Sequence, residues 1–278
     1  MKETLSSGEA LREKAKELRK TLLTMIYKAQ SGHPGGSLSA ADIMAVLYFH
    51  TIDIDPQNPQ WEDRDRFVLS KGHVCPVLYS ALIMKGVIDE KEVDTLRKQG
   101  SILQGHPDMK RCPGIDISTG SLGQGISCAT GMAIAGKRDR KEYKVYTLLG
   151  DGECDEGQVW EAAQAANKYE LDNLVVLVDN NGLQNDGFAK DIMPTLDIRK
   201  KFEAFGFQAV RVNGHDVDEI ATALDFMGTQ KNGQPKCIVC NTVKGKGVSF
   251  MENVPSWHGM APDDEQYEQA MSEIKEGF

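Results

Sequence analysis

Apolar residues recur along this chain at two spacings, and the two alternate. From Glu9 to Gln30 they fall at Leu11, Ala15, Leu18, Leu22 and Met25, the three-to-four-residue spacing of one helix face. Gly32 offers that helix a stop. Ser39 to His50 reads as a second helix with Ser39 as its cap. Gly120 to Ala135 reads as a glycine-rich turn running into a closely packed helix, and Gln158 to Tyr169 as another helix. Between these segments lie short, unbroken apolar runs: Phe67 to Leu69, Val145 to Leu149, Leu174 to Val178, Ala209 to Val212 and Cys237 to Val243. Strands buried on both faces have that character. Strand, helix, strand in repetition predicts an α/β fold in three layers, a parallel sheet with helices on both faces, in one domain over residues 1–278. Open sheets of this kind bind ligands outside the carboxyl ends of their strands.

Two of those ends carry ligand chemistry. The run Val145 to Leu149 leads into Gly150-Asp151-Gly152-Glu153, and Leu174 to Val178 leads into Asp179-Asn180-Asn181. Asp151 supplies a carboxylate oxygen and Asn181 an amide oxygen, the hard donors that magnesium selects. Gly152 lets the backbone approach a phosphate, and the N-terminus of the helix from Glu156 to Tyr169 lies nearby. A lone Gly-Asp-Gly reads as a turn. The Asn-Asn ending a second strand thirty residues on (181 − 151) turns the reading toward a magnesium diphosphate site.

Composition narrows the classes. The 278 residues are 40% hydrophobic and 26% charged, ordinary for a globular domain with a sizeable core. A net charge of -9 argues against a nucleic-acid or anionic-membrane partner. A small anionic ligand remains compatible, held by a metal ion, a helix N-terminus and local histidines. No apolar stretch approaches the roughly 18 residues of a membrane span, and Met1 to Lys20 lacks an apolar signal core. Of the six cysteines only Cys237 and Cys240 are close in sequence. In a strand that spacing points them to opposite faces, against a zinc or redox pair. Scattered, unpaired cysteines predict a cytoplasmic protein.

Five of the six histidines adjoin a glycine: His33, His73, His106, His215 and His258. A histidine on a turn is well placed to meet a ligand, and its titration near neutrality suits it to relay protons. His50 ends an apolar helix and reads as structural.

The flanking residues are specific. Ser31-Gly32-His33-Pro34-Gly35, Leu69-Ser70-Lys71-Gly72-His73, Gln104-Gly105-His106-Pro107, Gly120-Ser121-Leu122-Gly123-Gln124-Gly125 and Trp257-His258-Gly259 occur in this order. With the Gly-Asp-Gly and Asn-Asn pair, they make the chain resemble transketolase from about residue 10 to about residue 265. The resemblance implies thiamine diphosphate and Mg²⁺, with Ca²⁺ or Mn²⁺ as substitutes, in the diphosphate-binding (PP-type) domain of that family. It implies metal ligation by Asp151, Asn181 and the carbonyl of Leu183. His73 and His258 would contact the diphosphate, and Gly152 and Glu153 belong to the cofactor-binding set. Gly120 and Leu122 would meet the aminopyrimidine. His106 would lie over the reactive part of cofactor and substrate, and His33 would bind substrate and shuttle its protons. His258 would also face the substrate. Glu156 matches a carboxylate that links two active sites of a dimer. His215 matches no cofactor contact and reads as a structural turn.

Transketolases are more than twice this length, and a glutamate of their second domain protonates the aminopyrimidine. The resemblance therefore implies that a C-terminal transketolase subunit supplies the pyrimidine-binding domain and its glutamate, in a heterotetramer of two chains of each kind acting on sugar phosphates. Met1 and the polar tail from Met271 to Phe278 read as the ends of a whole gene product. Deoxyxylulose-phosphate synthase shares the cofactor motif, but its first histidine motif resembles Ser-Gly-His-Leu-Gly. A 2-oxo-acid dehydrogenase alpha chain lacks the glycine-flanked histidines. A specialised sugar-phosphate transketolase and a cofactor-binding module without chemistry complete the alternatives.

Overall fold

The computed structural model describes Leu5 and residues 7–277; residues 1–4, 6 and 278, the ends of the expected domain, lie outside the described residues. Five strands form one sheet in the order β1-β2-β3-β5-β4. They are β1 (Arg66–Leu69), β2 (Val145–Gly150), β3 (Leu174–Asn180), β4 (Gln208–Asn213) and β5 (Lys236–Asn241). Every pairing is parallel. The helices are α1 (Gly8–Ala29), α2 (Pro34–Ser39), α3 (Ala41–Val46), α4 (Cys75–Met84), α5 (Gly125–Arg138), α6 (Gly157–Lys168), α7 (Ala189–Ile192), α8 (Ile198–Ala204), α9 (Val217–Thr229) and α10 (Asp264–Glu276).

The central strand β3, Leu-Val-Val-Leu-Val-Asp-Asn, is buried up to its last residue, because helices cover both its faces. Val175 and Leu177 enter the core shared with α1, α3, α4 and α9. Leu174, Val176 and Val178 enter the core shared with α5, α6 and α8. The strand alternation thus divides one apolar run between two cores. Cys240 lies in the first and Cys237 in the second, so the CxxC pair is split by the sheet as its spacing predicts.

Two local expectations are corrected. α1 ends at Ala29 with Gln30 in the left-handed conformation (φ 47°), so Gln30 and not Gly32 closes it. Ser39 is the last residue of α2 and caps nothing; its hydroxyl donates to the buried carboxylate of Asp179 and lies 3.0 Å from the Gly36 carbonyl. The segment to Thr51 continues as α3 and one π turn, Leu47–Thr51. β5 ends at Asn241, which frees residues 242–244 to turn over the carboxyl edge.

Candidate active site

A cavity of about 370 Å³ opens where β2 and β3 end. Of the residues expected in the site, His73, Gly120, Leu122, Asp151, Gly152, Glu153, Asn181, Leu183 and His258 line it. His33, His106 and Glu156 stand just outside its lining. Asp151 follows β2 and Asn181 follows β3, and the two strands pair directly.

The Asp151 carboxylate is 2% exposed. Its oxygens accept from the backbone N–H groups of Gly152 (2.9 Å) and Gly182 (2.7 Å). Burial, with Asp179 close by, nonetheless raises its pKa to about 6. A buried carboxylate held off its ordinary range in this way favours a cation beside it. The Asn181 amide is oriented by its surroundings: its Nδ2 lies 3.4 Å from both Ser39 Oγ and Asp179 Oδ2, and its Oδ1 accepts from Leu183 N at 3.1 Å. Asp179 is fully buried, paired with Lys71, and also accepts from Thr242. Burial alone would raise its pKa, but Lys71 and these donors hold it below the usual carboxylate range. No cluster of three His, Cys, Asp or Glu side chains suited to a metal occurs among the described residues. The expected donor set has one carboxylate, one amide oxygen and one backbone carbonyl. That set is oxygen-only and suits a hard cation.

Three histidines from distant turns meet here. His33 occupies the N-cap of α2, His73 lies in the turn Gly72–Val74 after β1, and His258 ends the turn Pro255–His258. Their ring centroids are 5.2 Å (His33–His73), 5.3 Å (His33–His258) and 5.2 Å (His73–His258) apart. Burial, reinforced by nearby cations, keeps them neutral. It lowers His33 to about 4, with Arg97 contributing, and His258 to about 3, with Lys244 contributing. Burial and Lys71 push His73 well below the ordinary histidine range. Gly72 permits the His73 turn, because a Cβ there would lie 2.8 Å from the Gly120 nitrogen.

His106 is more exposed and rests on Gly120, whose φ of 146° suits glycine; a Cβ there would lie 2.8 Å from His106 Cδ2. Tyr79 Oη lies 3.0 Å from the His106 carbonyl and fixes that loop. Glu153 holds rather than offers: one oxygen accepts from Gly123 N at 2.9 Å and from Ser70 Oγ, the other from Gly150 N at 3.1 Å. It ties the Gly120–Gly125 loop to the end of β2. Glu156 caps the start of α6 by position only, beside Gly123.

Three residues of the site escape the sequence reading. Lys244 lines the cavity, its Nζ donating to the carbonyls of Leu183 and Gln184 (3.2 Å each) and to His258 Nδ1 (2.8 Å). Burial lowers its pKa to about 8, with Lys71 adding to the effect. The glycine-rich Val243-Lys244-Gly245-Lys246-Gly247 just past a strand is the available signal. Lys71, at the cavity base, lies inside the His73 motif. Arg97 carries no signal; it donates to Ser31 Oγ at 2.8 Å and lies 3.4 Å from His33 Nδ1.

A family profile described as the thiamine diphosphate binding domain of transketolase matches residues 11–277. The chain belongs to the transketolase family. The 6-deoxy-6-sulfo-D-fructose transketolase subunit of Clostridium sp. (strain MSTE9) is 45% identical over 268 residues, covering 96% of this chain and 97% of that protein. An apulose-4-phosphate transketolase subunit of Phocaeicola vulgatus is 42% identical, covering 96% and 95%. Human transketolase is 44% identical over 96% of this chain, which spans only 42% of the human protein. The crystal structure of Campylobacter jejuni transketolase superposes with a TM-score of 0.90 at 35% identity, covering 96% of this chain and 43% of that one. These likenesses make the chain a thiamine-diphosphate-binding member of the transketolase family, and its parallel α/β sheet is the fold of that domain.

Proposed function

We propose that this chain is the metal- and diphosphate-binding subunit of a split transketolase. With a second chain it would transfer a two-carbon ketol unit from a ketose phosphate to an aldose phosphate. The observation that carries the reading is the pairing of β2 with β3, which sets Asp151 and Asn181 side by side at one cavity. Mg²⁺ would be held by Asp151, Asn181 and the Leu183 carbonyl, with Ca²⁺ or Mn²⁺ as substitutes. The diphosphate would meet Gly152, His73, His258 and the Lys244 ammonium. Gly120 and Leu122 would form one wall for the aminopyrimidine. Bound thiamine diphosphate supplies the nucleophilic carbon and the electron sink.

The chain's own residues would bind and move protons. His33, with Nδ1 toward Arg97, and His258, with Nδ1 toward Lys244, are left with Nε2 as their donor. In that tautomer each ring offers an N–H to a substrate or phosphate oxygen, and it can take a hydroxyl proton only at Nδ1, once Arg97 or Lys244 has turned away. His106, exposed above Gly120, is placed to take a substrate hydroxyl proton and return it. Glu156, near the mouth, would face the partner. The expected assembly is two chains of each kind, in the cytoplasm. No helix among the described residues is long and apolar enough to cross a membrane.

The similarity to two relatives of this same length, both named as transketolase subunits for unusual sugars, favours a specialised donor over the common pentose phosphates. The test is affinity purification of the tagged chain from its source cell, read by mass spectrometry. A chain resembling the C-terminal part of transketolase should co-purify in equal amount, and the pair should then transfer ketol units among sugar phosphates. Recovery of this chain alone, with no transfer by any reconstituted pair, would overturn the proposal.

A further inference from the structure

His215 lies between β4 and α9, outside the cavity lining. Its Nε2 is 2.8 Å from the Val243 backbone nitrogen, and its Nδ1 is 2.8 Å from Asp42 Oδ2. A backbone N–H only donates, so Nε2 accepts and Nδ1 carries the proton that goes to Asp42. Asp42 and Arg19 are 6% and 2% exposed and pair through two contacts, of 3.0 and 2.6 Å. Burial would raise the Asp42 carboxyl, but Arg19 and His215 hold it at about 2. Arg19 Nε in turn donates to the Lys246 carbonyl at 3.1 Å.

The residues so gripped, Val243 and Lys246, bracket Lys244. The turn between them has no slack: Gly245 donates to the Gly35 carbonyl at 2.9 Å, and at its φ of 82° a Cβ would lie 2.3 Å from the Met251 carbonyl oxygen. Lys244 reaches the Leu183 carbonyl, the Gln184 carbonyl and His258 from this turn. We propose that His215 is a positioning residue: by accepting from the Val243 amide it sets the turn that delivers Lys244 to the cofactor cavity. This rests on the reading of the cavity as a magnesium thiamine diphosphate site.

Matched variants of the full chain separate positioning from packing. In His215→Gln the side-chain carbonyl reaches about as far as Nε2 and retains the Val243 contact. In His215→Asn the shorter amide retains Asp42 as acceptor and leaves the Val243 N–H without one. Hydrogen exchange at the Val243 amide and calorimetric affinity for magnesium thiamine diphosphate are read together. His215→Asn should speed the exchange and weaken affinity roughly 10-fold, the size of effect that loss of a supporting hydrogen bond has on a ligand shell. His215→Gln should restore both. Equal affinity loss in the two variants, or faster exchange with unchanged affinity, overturns the proposal. If His215→Asn does not fold, wild-type Val243 exchange decides: slowing on addition of magnesium thiamine diphosphate supports the proposal, and no change overturns it. Absence of binding by the wild type would sink the cofactor reading itself, an outcome distinct from either variant pattern.

Discussion

The rings of His73 and His258 stack at 5.2 Å with planes inclined by 26°, although one follows the first strand and the other follows the last. Two protonated imidazoles do not stack in that way, and burial beside Lys71 and Lys244 keeps both neutral. The pair gives the cavity two hydrogen-bonding rings that do not repel cations bound beside them at neutral pH.

Acid should therefore unfold this chain early. His33 and His258 have folded pKa values of about 4 and about 3, against an ordinary value of 6.5. As pH falls below the unfolded value, the unfolded chain takes up protons that the folded chain refuses, so stability declines until the folded values are reached. Between pH 7.5 and 5 the two rings together should cost on the order of 2 kcal/mol, after discounting for their partial solvent access. Urea unfolding across this range should show the decline, and His33→Gln with His258→Gln should flatten it. An unchanged slope in the double variant would show that other groups dominate.

Lys244→Met keeps the length of the side chain and removes its charge. It should weaken affinity for magnesium thiamine diphosphate about 10- to 100-fold, or about 1.4–2.7 kcal/mol, with little change in melting temperature. Calorimetric titration checks it, and an affinity within twofold of wild type would take Lys244 out of the diphosphate contacts.

His106 sits on Gly120 rather than in the cavity lining. His106→Ala should therefore lower turnover of the reconstituted pair by roughly 10²-fold or more, the range of a lost acid–base group, while cofactor affinity changes little. An equal loss in both would move His106 into the diphosphate contacts.

Asp151 is buried as a charge at a cost to the fold of the free chain. A pKa of about 6 in place of 3.8 corresponds to about 3 kcal/mol at neutral pH. Asp151→Asn removes that cost and loses one backbone hydrogen bond. Its melting temperature without metal should be no lower than that of the wild type, while stabilisation by magnesium thiamine diphosphate should vanish. Scanning calorimetry with and without the ligand measures both. A variant that melts lower yet still responds to the ligand would contradict the assignment.

The placing of Asp151 beside Asn181 is legible in the sequence, because each follows a short apolar strand and parallel pairing of neighbouring strands is a local rule. The split of Cys237 from Cys240 is legible for the same reason. The histidine triangle is legible only as separate motifs, since Gly32-His33, Gly72-His73 and His258-Gly259 are brought together by folding alone. Ser39 misleads because a serine ahead of an apolar run looks like a cap, whereas here its hydroxyl serves Asp179 across the molecule. Gln30 escapes notice as a helix stop because a glutamine seldom takes the left-handed conformation that Gly32 is better suited to supply. Lys244, Arg97 and the link from His215 to Val243 depend on contacts between residues distant in sequence.

The most direct test of the account is a calorimetric titration of thiamine diphosphate into the full chain, together with any chain that co-purifies with it. Wild type and Asp151→Ala are each titrated with and without magnesium. The account predicts binding by the wild type that requires magnesium, and its loss in Asp151→Ala with the circular dichroism spectrum unchanged. Affinity equal in the two proteins, or independent of magnesium, would contradict it.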